Sequence, residues 1–133
     1  MDQEKNLNSL RKTVTLLIAL SIIFTYFIAR ILYFLMEQGY IPSISLRIST
    51  IHVHHFAIGI GMLSLVGYFA LLIRKKAAVY GTAILYGIGI GLTYDEALMW
   101  LRLDGTHSEL VSLCTISGIA LIFLVCYFFL SRK

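Results

Sequence analysis

The chain has 133 residues, of which 59% are hydrophobic and only 14% charged, with a mean hydropathy of +0.85. That is one domain's length, and soluble domains carry about 25% charged residues, so the composition excludes an ordinary soluble protein and points to a membrane. The net charge of +4 does not indicate nucleic acid, because the basic residues are scattered between apolar runs and form no stripe.

About 20 mostly apolar residues are needed to cross a bilayer as a helix. Four segments qualify: about 13–36, 51–73, 77–101 and 110–130. The expected fold is therefore all-α, a four-helix transmembrane bundle forming a single domain over 1–133. The first segment follows Lys5, Arg11 and Lys12 as a signal peptide would. It is too long for one and shows no small-residue cleavage site, so it is read as an uncleaved span. The connections are short, with neither a low-complexity linker nor an internal repeat.

Lys and Arg accumulate on the cytoplasmic side of a membrane protein. Lys5, Arg11, Lys12, Arg74, Lys75, Lys76, Arg132 and Lys133 fall on one side of a four-span chain; Arg47 and Arg102 fall on the other, and Arg30 lies inside the first span. Both termini are expected in the cytoplasm. The remaining polar chemistry then gathers at the outer end: Arg30 and Glu37, the IHVHHF stretch with His52, His54 and His55, the pair Asp95–Glu96, and the connection holding Asp104, His107 and Glu109. The inner halves hold no ionisable side chains apart from tyrosine and cysteine. Ionisable residues inside spans are costly and commonly mark a site.

Helical phase places His52, His55 and Gly59 on one face of the second span, with Ser49 or Thr50 as its cap. Gly87, Gly91 and Asp95 share a face of the third, and Glu96 shares one with Gly89. Glycine faces let helices approach closely. If the Gly59 and Gly87/Gly91 faces meet, His55 and Asp95 lie at similar depth. The glycines of GIGIG alternate and cannot all serve one seam, so some are expected to face a ligand, a lipid or another chain.

Imidazoles and carboxylates together suit a divalent metal, namely zinc, iron or manganese. The expected ligands are His52, His54, His55 and Asp95, with Glu96 as general base. A helix N-terminus disfavours imidazolium and keeps histidine in its ligating form; the same terminus, with Arg47, could instead take a phosphate. Against the metal stands a plainer expectation, a salt bridge from Arg30 to one of the two acids. It would leave the other acid needing a proton, a histidine or a metal. Thr106 to Glu109 fits a capping box opening the fourth span, which makes His107 a weaker ligand candidate, and Asp104-Gly105 reads as a turn. Cys114 and Cys126 are about 18 Å apart along one helix and cannot bridge. Histidine-box desaturases and a haem clamped between two spans need histidines that the chain lacks. Walker A, Rossmann and HExxH motifs are missing, so neither haem nor nucleotide is expected.

The runs IHVHHFAIG and ILYGIGIGLTYDEALMWLRLDG resemble a group of small bacterial four-helix integral membrane proteins with no assigned activity. These carry a histidine cluster before one span and an Asp-Glu pair near the end of the next. The resemblance covers roughly residues 52–105, on His52, His54, His55, Gly59, Asp95, Glu96, Leu101 and Asp104. Here the GTHSEL segment is shorter than its counterpart in that group. The resemblance implies that histidines and acids form one unit, in a bacterial cytoplasmic membrane, and supplies no substrate.

The reading that leads is a metal site at the outer leaflet that hydrolyses a lipid or lipid-linked ester, with membrane lipid as the partner and no nucleic acid. A non-enzymatic subunit, homo-oligomeric or within a larger membrane complex, or a pH-sensitive binding module, is the competing reading. Cation or proton transport is the weaker third, because the inner halves hold no ionisable relay.

Overall fold

The computed structural model describes residues 2–42, 46–48, 51–53, 55–73, 75–95 and 109–132. For residues 2, 46–48, 51–53, 55 and 109–112 it describes the backbone alone. Four helices run in chain order: α1 (Asp2–Glu37), α2 (His55–Leu72), α3 (Lys76–Asp95) and α4 (Glu109–Ser131). Three of them, α1, α3 and α4, are long and apolar enough to cross a membrane; the apolar part of α2, Phe56–Leu72, is shorter.

Helix α1 starts well before its apolar stretch, because residues 2–12 are mostly good helix formers with Asp2 and Glu4 in the favourable first turn. Its 36 residues reach about 54 Å, more than the roughly 30 Å of a bilayer's hydrocarbon. The hydroxyls of Thr13 and Thr15 donate to the carbonyls of Ser9 and Arg11, so they add no unpaired polar group. At the other end Tyr40 N–H donates to the Leu35 carbonyl at 2.9 Å and Gly39 N–H to that of Met36 at 3.1 Å. Gly39 has φ 75°. This is the Schellman arrangement, which satisfies the last carbonyls through a left-handed residue, with Pro42 soon after to prevent continuation. A side chain is strained there, so Gly39→Ala is expected to lower stability by about 1–2 kcal/mol, read by thermal unfolding in detergent. An unchanged midpoint would mean the cap is dispensable.

The second span departs from expectation at its start. Residues 51–53 are not helical: Leu46–Ile48 (β1) and Ile51–Val53 (β2) pair antiparallel, in the register Leu46 with Val53, Arg47 with His52, and Ile48 with Ile51. Apolar, largely β-branched residues alternate with basic ones in both LRI and IHV, and that period-two pattern suits a strand pair. Ser49 and Thr50, expected as the cap of this span, lie outside the described residues. Helix α2 begins at His55.

Helix α3 lies between α1 and α2, and α4 packs mainly on α1. The centre holds Ile22, Ile90, Ile116 and Ala120, from α1, α3 and α4. Outside it the helices present large apolar side chains: Phe24 is 66% exposed, and Phe27, Leu65, Leu71, Leu121 and Phe129 are also exposed. Such a surface fits a hydrocarbon solvent rather than water.

Candidate functional site

Glycine decides how α3 is held. A Cβ built on Gly87 would lie 2.7 Å from the Ile18 carbonyl oxygen, and one on Gly91 2.8 Å from Thr25 Cβ, so both face α1. Gly89 points the other way: its Cβ would meet Leu63 of α2 at 3.0 Å. The answering residue on α2 is Gly59, whose Cβ would meet Thr93 Oγ1, Thr93 N at 2.7 Å and the Gly89 carbonyl at 2.9 Å. All three GIGIG glycines therefore serve seams within the chain, two on α1 and one on α2. The expected meeting of Gly59 with the Gly87/Gly91 face does not occur, because Ser21 and Thr25 of α1 already fill that face.

These contacts also give direction. Ile18 with Gly87 and Ile22 with Gly91 make α1 and α3 parallel; Gly59 with Thr93 and Leu63 with Gly89 make α2 and α3 antiparallel. The C-terminal parts of α1 and α3 and the start of α2 thus converge at one end of the bundle, here termed the histidine end.

At that end α1 and α3 are joined by charge. Arg30 Nη2 donates to Asp95 Oδ1 at 2.5 Å and Nε donates to the same oxygen at 3.1 Å; Nη2 also reaches the Asp95 carbonyl oxygen at 3.4 Å. Asp95 is buried, its side chain 5% exposed against 20% for Arg30. The Arg30 guanidinium carbon lies 5.3 Å from the Tyr26 ring centroid, so an aromatic face one turn earlier adds to its neutralisation. The expected salt bridge from Arg30 to an acid is present, to Asp95. Tyr26 was not legible as a partner, although its spacing of four residues from Arg30 is the signal.

The second seam holds a different polar group. Thr93 is 2% exposed, and its hydroxyl has no hydrogen-bond partner among the described residues. It faces Gly59, one turn from His55. Buried hydroxyls are normally paired, by protein or by a bound molecule. The signal for Thr93 is again spacing, four residues beyond Gly89.

Among the remaining sequence candidates, His52 lies on β2 as the register partner of Arg47, so it does not share a helical face with His55 and Gly59. His55 is the first residue of α2. His54, Glu96, Asp104, His107 and the proposed cap at Thr106 lie outside the described residues. No group of three or more His, Cys, Asp or Glu is gathered among the described residues. Cys114 and Cys126 are free and exposed, as their spacing requires.

No known protein family matches the chain, and no curated protein or solved structure is similar to it.

Proposed function

We propose that this chain is a four-span membrane protein, both termini cytoplasmic, whose histidine end binds a divalent metal (zinc, iron or manganese) between the start of α2 and the end of α3. The observation that carries the reading is the division of α3 between two seams. Arg30 engages Asp95 on the α1 side, while Gly89 and the Thr93 hydroxyl, which has no partner among the described residues, face α2 on the other. Glu96, the residue after the end of α3, lies outside the described residues and enters the proposal from the sequence alone. His55 precedes Gly59 by one turn on the opposing helix.

His52, His54 and His55 supply the imidazole donors of the proposal, and Asp95 contributes through the end of α3 that Arg30 fixes. Because Arg30 already occupies Oδ1 of Asp95, the proposal assigns the proton-handling role to Glu96. A bound divalent metal would polarise an ester and lower the pKa of a water. Glu96 would take that water's proton as its oxygen bonds to the carbonyl carbon or phosphorus, then return it to the departing alcohol. The substrate class is a lipid or lipid-linked ester or phosphoester entering sideways from the outer leaflet.

The second reading rests on the Arg30–Asp95 pair itself: the polar end is a structural network in a membrane subunit, without metal. Elemental mass spectrometry of the detergent-purified chain separates the two. The metal reading expects near-stoichiometric zinc, iron or manganese, lost in His55→Ala and in Asp95→Ala and kept in Lys5→Ala. No metal in the wild type after reconstitution, or full occupancy in both site variants, would replace it with the network reading.

A further inference from the structure

The opposite end of the bundle carries a second feature, which the metal reading does not use. An apolar cavity of about 260 Å³ lies between α1, α2 and α3. Val66 and Ala83 form its buried floor, while Gly67 and Ala70 are exposed and Tyr86 is 37% exposed, so the cavity opens on the flank of the bundle. Its few polar lining groups make it no less apolar: the Thr82 hydroxyl donates to the Ala78 carbonyl at 2.8 Å. It runs from Val66 to Ile73 at the end of α2 and from Val79 to Tyr86 on α3, eight residues each, or about 10 Å. One leaflet's hydrocarbon is roughly 15 Å deep. The groove thus matches most of one acyl chain lying along the helices.

Its mouth is basic. Ile73 and Val79 line the end of the groove, and between them in the chain come Lys75 and Lys76, both exposed. Lys76 Nζ lies 3.5 Å from Asn6 Oδ1 of α1, which brings the polar start of α1 to the same place. On α1 itself Lys12 precedes the lining residue Val14 by two positions. No acidic residue occurs in 66–86. An apolar slot one acyl chain deep, ending at lysines near the membrane surface, is complementary to one kind of molecule.

We infer that this groove binds a single anionic phospholipid of the leaflet facing the N-terminus, with one acyl chain between Val66, Ala70, Ala83 and Tyr86 and the phosphate beside Lys75 and Lys76. The inference rests on the membrane placement proposed above and is independent of the metal. Gly67 is the position to test: a Cβ there would meet nothing within 4 Å, so a larger side chain enters the groove without a clash in the bundle.

The full chain is reconstituted in mixed phosphatidylcholine and phosphatidylglycerol bilayers, extracted, and its retained lipids counted by native mass spectrometry. One phosphatidylglycerol is expected on the wild type, preferred roughly thirtyfold over phosphatidylcholine, the preference that two lysines at a membrane surface would give. Gly67→Leu should lose the retained lipid, and Lys75→Gln with Lys76→Gln should keep a lipid but lose the preference. If Gly67→Leu retains phosphatidylglycerol as the wild type does, the lipid adsorbs to the basic rim and the groove assignment is overturned. Equal retention of both lipids by the wild type overturns the headgroup assignment. A chain that inserts but holds no lipid fails this inference alone; a chain that does not insert fails the membrane reading. Metal content, measured on the same samples, should be unchanged in both variants.

Discussion

Arg30→Ala should lower stability by about 3–5 kcal/mol, the range for removing one partner of a buried ion pair. In a bilayer centred on residues 13–36, Arg30 would lie about 8 Å from the midplane, still inside the hydrocarbon. The loss falls on Asp95, which is buried and bonded to Arg30 through both the Nε and Nη2 groups. Its short side chain cannot move to water. The reverse change, Asp95→Ala, should be milder, because a long arginine near the end of α1 can extend toward the membrane surface while its stem stays apolar. The double variant removes both charges together and should be less damaged than the sum of the two singles by about 2 kcal/mol. Equilibrium unfolding in detergent measures all three, and additive losses would mean that the pair contributes no coupling.

Much of the scaffold was legible because a long apolar run constrains its backbone severely. Backbone polar groups must be satisfied within the segment, so long apolar runs could be read as helices, and α1, α3 and α4 lie where hydropathy put them. The pairing of Arg30 with an acid was legible for the same reason, since an unpaired charge in such a run is too costly to leave. What misled was the region where two periods compete. Residues 51–55 end one apolar alternation and begin another, and helical phase was carried back across His52, where β2 lies. The seams misled differently. Gly87, Gly89 and Gly91 announce close packing, but which neighbour each meets depends on the order of helices around α3, which no local pattern encodes. The Schellman cap at Gly39 had a full local signal, a glycine after the apolar run and a proline three residues on.

Gly59→Leu should be among the most damaging single changes in the chain, about 3 kcal/mol or more. Its Cβ alone would meet the Thr93 nitrogen at 2.7 Å and the Gly89 carbonyl at 2.9 Å, and backbone does not yield as a side-chain tip does. Gly87→Leu should cost a similar amount against Ile18 of α1, whereas Gly81→Ala and Gly118→Ala, with open space around them, should stabilise by about 1 kcal/mol as glycine leaves a helix. The two damaging variants separate the α2 and α3 seam from the α1 and α3 seam. The metal reading puts its donors across the first, so Gly59→Leu should release metal at temperatures where the helices persist, while Gly87→Leu should weaken the Arg30–Asp95 coupling first. Circular dichroism and metal content, followed together on heating, read both effects. Should Gly87→Leu release metal as readily as Gly59→Leu, the polar end works as one network through Asp95, and the division of α3 between two seams would lose its functional meaning.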